Sequence, residues 1–429
     1  MNFETVDFFT DDALVADPYP YLDAMRGQCP VRREPHHDVV LVTGYEEAVE
    51  VLNDSARFSS CLSVTGPFPG FPVPLEGDDV SDLIEQHRAA LPMADQLPSM
   101  DPPTHTDHRA LLMRLITPKR LKENEAAMWQ LADRILKPWL GQGEGEFISQ
   151  VAGPFTLLVI ADLLGVPAED QANFLKGLQR RPQDSAGVGG TDHAGPAYSP
   201  MEYLYAQFAT YIDDRRRTPQ DDVLTGLATA TFPDGSTPDV ADVVRIAVNV
   251  FSAGQETTVR LLSSALKVLA ENPELQAQLR AERHRIPAFL EESLRTESPI
   301  KGDFRLSRVP VTVGGVDLPA GTTLMVVNGA ANRDPRRFSD PGTFDPTRSN
   351  VRQHIAFGRG IHSCPGAPLA RSEARVCLER LLDLTTDIRI SERAHGPADA
   401  RTYQYLPTFI LRGLIMLNLE WDLAEDAAR

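Results

Sequence analysis

Phe357-Gly358-Arg359-Gly360-Ile361-His362-Ser363-Cys364-Pro365-Gly366 is the stretch on which the reading of this chain turns. Two glycines ahead of the cysteine allow a tight backbone path, and a helical pattern, Ala367 to Leu384, begins directly after it. A thiol at such a junction lies near the free N–H groups of a helix N-terminus, which favour the thiolate and should lower its pKa. A single cysteine is ordinarily a small buried apolar residue. Here its flanks argue for a ligand: a lone thiolate is what an iron porphyrin takes as its axial partner. Cys29, Cys61 and Cys377 have no such setting, and no two of the four form a C-x-x-C pair, so the cysteines indicate a reducing compartment without a disulfide framework.

Upstream of the loop, Glu292 and Arg295 stand three apart on a predicted helix and face one way. Phe344-Asp345-Pro346-Thr347-Arg348 lies between that pair and the cysteine. Earlier still, Ala253-Gly254-Gln255-Glu256-Thr257-Thr258 falls within a long helical pattern. Ile246, Val250, Ala253 and Thr257 share one stripe with Glu256 at its edge, so an otherwise apolar face carries a hydroxyl and a carboxylate. Gly254 costs about 1 kcal/mol relative to Ala in mid-helix, which suggests that something flat or a widened turn needs the space. Taken alone, the pair reads equally well as a threonine bonded back to a carbonyl one turn earlier beside a solvated glutamate. Asp101-Pro102-Pro103-Thr104-His105 followed by Arg109, and Arg305 ahead of Gly314-Gly315, supply basic groups that singly would pass for surface cations. The two propionates of a haem need such partners when partly buried.

In their order these segments resemble the cytochrome P450 haem-thiolate monooxygenases. The decapeptide matches F-G-x-G-x-H-x-C-x-G at every fixed position, and the others are similar to A-G-x-[DE]-T, to E-x-x-R with its meander arginine, and to D-P-P-x-H-x-x-x-R. The likeness spans roughly residues 100 to 385; Pro365 departs from the larger apolar residue usual after the ligand. The resemblance implies haem b, iron protoporphyrin IX, on the Cys364 thiolate, with Ala253 and Phe357 against the cofactor and His105, Arg109, Arg305 and His362 toward its propionates. Arg308 competes with Arg305 for that place. It implies Glu256 and Thr257 as the catalytic proton-delivery pair, and Glu292, Arg295 and Arg348 as a structural network around the cysteine loop. The fold it implies is mainly α, a single large helical domain over residues 1–429 with a minor β-rich region. The activity it implies is insertion of one oxygen atom of O2 into a hydrophobic small molecule of the terpenoid, steroid, fatty acid or polyketide class. A haem-binding sensor or carrier without turnover would have no use for Glu256 and Thr257, and a peroxygenase or isomerase of this kind often lacks the threonine.

The 429 residues are 42% hydrophobic and 24% charged, enough for a sizeable core. Forty-two basic against 60 acidic residues give a net charge of -18, which argues against nucleic acid as a partner. Met1 to Thr10 carries acids where a signal peptide carries Lys or Arg. The apolar runs Phe155 to Ala161, Ile246 to Phe251 and Phe409 to Met416 are interrupted before they could span a bilayer. The expectation is a cytoplasmic monomer without a membrane anchor. No flavin or iron–sulfur domain follows, so electrons should come from a ferredoxin and its NAD(P)H-dependent reductase. Arg114, Lys119, Arg120, Lys122, Arg359, Arg371 and Arg375 are the expected basic patch for that acidic carrier.

Helical patterns are expected over Tyr45 to Leu52, His105 to Leu140, Pro154 to Leu164, Met201 to Arg217 and Asp221 to Thr231. The long helix should open on Thr237 as N-cap with Pro238 in its first turn and run to Asn272. Strand patterns appear at Val39 to Val42, Val309 to Val327 and Tyr403 to Leu419. Residues 60–98 and 181–200, rich in Pro, Gly and Ser, read as mobile covers of the substrate site, whose further walls are Val250, Ala253 and Ile300 to Phe304. Gly141, Gly143 and Gly145 follow a helix instead of a strand, and Ile148 stands where a dinucleotide motif needs its last glycine, so no nucleotide fold is expected.

Overall fold

The long helix in mid-chain organises the molecule, whose computed structural model describes residues 5–179 and 200–425. It spans Val240–Glu271, 32 residues, or about 48 Å at 1.5 Å per residue. Its N-cap is Asp239 in extended backbone, so Thr237 and Pro238 lie outside the first turn that they were expected to open. Val243, Ile246, Ala247, Phe251, Leu262, Leu266 and Leu269 are all buried. A helix apolar on several faces belongs inside the core. It packs against the helices Gly153–Leu163, Pro200–Arg217 and Ala367–Leu384.

Gly153–Leu163 is a second core helix, with Phe155 through Ala161 buried without a break. It explains Gly254. A Cβ there would sit 2.8 Å from Ile160 Cδ1, so the glycine leaves that side chain room where the two core helices pack. The pattern expected as one helix from His105 to Leu140 is two, Thr104–Met113 and Pro118–Leu140. The break is chemical: Thr117 is extended and its side chain accepts from Arg120 N, with Pro118 at the first helical position. Asp221 to Thr231 contains only the short helix Val223–Ala228.

About 52% of the described residues are helical, so the fold is mainly α with a small β region. The strands are β1 (Val31–Arg33), β2 (Val40–Val42), β3 (Phe58–Ser59), β4 (Glu144–Glu146), β5 (Asp303–Ser307), β6 (Val311–Val313), β7 (Val316–Leu318), β8 (Thr323–Val326), β9 (Thr385–Ile390) and β10 (Asn418–Leu423). Five of them form a sheet in the order β1-β2-β8-β5-β3, in which β2 and β8 run parallel. The β6–β7 hairpin turns on Gly314 and Gly315, with φ of 56° and 80°, as the two glycines predict. Most of Tyr403 to Leu419 is irregular, folding back on itself through the bridge Tyr405↔Leu414 and meeting Ile300 through Leu411 before β10 begins. Residues 60–98 are not a bare loop: Ser81–His87 is helical and buries Ile84. The expected cover at 181–200 lies outside the described residues, except Pro200.

Candidate haem-thiolate site

The cysteine loop is shaped by backbone that only glycine adopts easily. Gly358 and Gly360 have φ of 66° and 68°, and a Cβ on Gly360 would meet Leu52 O at 2.2 Å. Cys364 N donates to Phe357 O at 2.8 Å, closing the loop, and the helix Ala367–Leu384 follows with the bounds its sequence pattern predicts. Cys364 is solvent-accessible, yet its thiol is closely surrounded by protein. Burial pushes the thiol up, and the N–H groups of Gly366 and Ala367 with the charge of Arg109 offset only part of that. The lowering expected from the helix N-terminus alone is therefore reversed in the protein by itself: desolvation outweighs a few oriented dipoles.

Beside the loop, His105 and His362 stand with ring centroids 4.1 Å apart. The Nε2 atom of each is buried without a hydrogen-bond partner. Burial, then the charge of Arg109, lowers His105 to about 4; burial, then Arg305, His105 and Arg109, lowers His362 to about 2. Arg109 Nη2 donates to Ser363 O at 2.6 Å, tying the helix Thr104–Met113 to the cysteine loop. Buried Arg305, on β5, donates to Phe304 O at 2.6 Å and to Ser63 Oγ at 3.3 Å. Arg308 does not join this group. Its Nη2 bonds Asp101 at 2.7 Å, and Asp101 also receives Ser60 N at 2.8 Å, Arg88 Nη2 at 2.6 Å and the Ser59 hydroxyl. Asp101 thus anchors its motif to β3 and spends Arg308, while the charge of Arg305, like that of Arg109, reaches His362.

Two orphaned imidazoles and two guanidiniums converging beside a thiol are a donor set suited to two carboxylates next to a sulfur-ligated metal. On the long helix, Ala253 is accessible although the residues around it are buried or half-buried. Thr257 Oγ1 donates to Ala253 O at 2.8 Å, the back-bonded geometry weighed above. Glu256 is not simply solvated: it forms an ion pair with Arg260 one turn on, and Arg260 also reaches Leu414 O. These residues fit a haem.

Two networks hold the loop. Glu292 and Arg295 have fully buried side chains joined by two bonds of 2.7 Å. Arg348 Nε adds a bond to Glu292 Oε1 at 3.1 Å and Asp345 N one at 2.8 Å. The second network escaped the sequence reading: His354 Nε2 bonds Glu291 at 2.9 Å, Arg371 pairs with the same carboxylate, and the Arg371 guanidinium lies 4.6 Å over the Phe357 ring. Burial raises the Glu291 carboxyl, but His354 and Arg371 outweigh it and hold it at about 2. No spacing signals this set, because His354, Glu291 and Arg371 belong to three separate segments. It also changes the expected basic patch. Arg371 is committed to Glu291 and Arg375 to Glu125 and Glu379, whereas Arg120 and Lys122 make no ion pair among the described residues.

A mainly helical body crossed by one long helix, with an accessible thiol flanked by propionate-ready cations, is the architecture of a haem-thiolate protein. The cytochrome P450 family model matches residues 207–384. Over 411 residues the chain is 34% identical to cytochrome P450 144 of Mycobacterium tuberculosis, covering 94% of this chain and 89% of that one. It is 32% identical over 420 residues to the cytochrome P450 monooxygenase PikC of Streptomyces venezuelae, covering 96% and 93%. Among solved structures, substrate-free cytochrome P450 CYP150A6 of Mycobacterium marinum superposes with a TM-score of 0.92 at 54% identity, covering 99% of this chain and 100% of the other. The chain belongs to the cytochrome P450 family. It is an oxidoreductase of the bacterial monooxygenase kind, with haem b held by a cysteine thiolate. No helix among the described residues is long and apolar enough to cross a membrane.

Proposed function

We propose that this enzyme inserts one oxygen atom of O2 into a hydrophobic small molecule of the terpenoid, steroid, fatty acid or polyketide class. Its electrons pass from NAD(P)H through a reductase and a ferredoxin, and the whole chain acts as one monomeric haem domain in the cytoplasm. The observation that carries this reading is the convergence of His105, His362, Arg109 and Arg305 beside Cys364. Cys364 would hold the haem iron through its thiolate. His105, Arg109, Arg305 and His362 would hold its propionates, and Phe357 and Ala253 would lie against it. When bound, the haem supplies oxygen activation, favoured by the electron density that a thiolate pushes onto iron.

The chain's own residues do the rest. Thr257 turns its hydroxyl from Ala253 O toward the oxygen site and passes a proton, and Glu256 delivers protons to it. Val250, Ala253 and Ile300 to Phe304 exclude water and position the substrate, so regiochemistry follows geometry. Removal of one relay hydroxyl should leave electron uptake intact and spoil its use. Thr257→Ala is expected to lower product per NAD(P)H severalfold, with the lost electrons appearing as hydrogen peroxide. Unchanged coupling would remove Thr257 from the mechanism.

The reading as a whole is tested by the absorption of the reduced carbonyl complex and by turnover. A thiolate-type Soret band, and product with O2, ferredoxin, reductase and NAD(P)H, support it. A histidine-type band sinks the Cys364 assignment, product with hydrogen peroxide alone marks a peroxygenase, and no product with either marks a carrier.

A further inference from the structure

A groove of about 960 Å³ runs between residues 81–101, the helix Thr104–Met113 and the opening turns of the long helix. None of the side chains placed against the haem lines it. Ala56, Ala89, Met100, Pro102 and Pro103 give it apolar walls, and one polar group facing it is left over. His108 is 8% exposed, and its Nε2 atom is buried without a hydrogen-bond partner. Nδ1 lies 3.0 Å from Thr104 O, which only accepts, so the neutral ring carries its hydrogen there and keeps a lone pair on Nε2. Asp242 Oδ1 stands 3.6 Å from that nitrogen, too far for a hydrogen bond. Two acceptors thus face each other without a donor between them, which leaves the desolvation of Nε2 uncompensated. The charges around the groove are layered as well. The side chains of Glu85 and Asp95 are 56% and 55% exposed, whereas those of Arg88, Arg245 and Arg308, which pair with them, are 20%, 20% and 13% exposed. The open side is therefore negative. An incoming anion would have to displace carboxylates from these pairs; a cation would not.

We propose that the groove is a second ligand site, apart from the haem-thiolate centre, which takes a primary or secondary organic ammonium ion with an apolar body. Two N–H bonds of the ligand donate to His108 Nε2 and to Asp242, and its body lies along Ala56, Met100, Pro102 and Pro103. A quaternary ammonium has the charge without the donors, and an alcohol has one donor without the charge, so neither satisfies both acceptors. Arg245 bonds Asp242 at 2.6 Å and Asp95 at 2.9 Å, so the carboxylate that receives the ligand is already fixed in place. The occupant joins the long helix to the helix that carries His105 and Arg109. The proposal does not depend on how Thr257 and Glu256 act.

Calorimetric titration with phenethylammonium tests the site in the haem-loaded chain, taken as its reduced carbonyl complex so that the iron has no position open to an amine. Saturable one-to-one binding is expected, weakened about tenfold or more by His108→Phe and by Asp242→Asn, since each removes a charge-assisted hydrogen bond. Phenethyltrimethylammonium and phenethyl alcohol should each bind about tenfold more weakly than the primary amine. Nitrogen NMR of the histidine-labelled wild type needs no variant to fold: His108 Nε2 should carry a free lone pair in the ligand-free protein and a hydrogen-bonded one when phenethylammonium is added. Lack of saturation overturns the proposal, as does wild-type affinity in either variant or equal affinity for the quaternary ion. A His108 ring protonated on both nitrogens at neutral pH in the ligand-free protein also overturns it, because that ring would pair with Asp242 directly and leave no acceptor to fill.

Discussion

His105 and His362 are held neutral by burial and by neighbouring guanidiniums, at about 4 and about 2, against an ordinary histidine value of about 6.5. Below pH 6.5 the unfolded chain therefore binds more protons than the folded one, and stability is lost as pH falls from there through the folded values. His105 alone contributes on the order of 3 kcal/mol of that loss by pH 4. Propionates placed against the two orphaned Nε2 atoms would favour the protonated rings and reverse much of the effect. Unfolding free energies measured from pH 7 down to pH 5 should thus decline more steeply for the haem-free chain than for the loaded one. Parallel declines would mean that these histidines do not face the cofactor. The buried Glu292–Arg295 pair works differently: its partners satisfy one another and the backbone carbonyls of Asn332, Pro341 and Thr343. It needs no ligand, and so it fixes the meander whether or not haem is bound.

The cysteine loop is decided by two glycines that share a dihedral and differ in surroundings. An alanine at either position must tolerate positive φ, a strain of about 1 to 2 kcal/mol. At Gly358 the nearest atom to an added Cβ is His362 O at 3.8 Å, whereas at Gly360 it is Leu52 O at 2.2 Å, backbone that cannot rotate away. Gly360→Ala should therefore displace the loop from the helix Tyr45–Asn53 and lose most haem, while Gly358→Ala keeps most of it. Absorbance per mole of purified protein measures both, and equal haem content would refute the steric argument. The same element shows why Arg371 is a poor reporter of partner docking. Its guanidinium covers Phe357 and pairs with Glu291, so neutralising it should disturb haem retention before it alters electron transfer.

Across the whole molecule, a net charge of -18 would repel the acidic electron carrier proposed above, so its docking would depend on local cations that are not already paired. Arg120 and Lys122 meet that condition at the start of the helix Pro118–Leu140, which packs against the Ala367–Leu384 helix. Reversing both, Arg120→Glu with Lys122→Glu, should slow reduction by ferredoxin about tenfold at low ionic strength, with the difference shrinking as salt screens it. An unchanged rate would place the docking surface elsewhere. The segment 60–98, expected as a lid, borders a groove of about 960 Å³ lined in part by Ala94, Asp95, Met100 and Arg245. An Arg245–Asp95 ion pair of 2.9 Å ties that segment to the long helix.

The sequence by itself determined the chemistry: a cysteine between two glycines and a helix start, the acid and alcohol on one helix, and the E-x-x-R pair are local patterns, legible because each is set within a few residues. The helix bounds Ala367–Leu384 followed from periodicity for the same reason. Long-range packing was illegible and came only from the tertiary structure. It decided that Arg305 and not Arg308 stands by His362, because Asp101 claims Arg308. It assigned Gly254 to Ile160, joined β2 to β8 across most of the chain, and put His108 opposite Asp242. In each case the deciding partner lies on another element, and burial, which sets both the cost of a charge and the worth of a contact, exists only once the chain has closed around it.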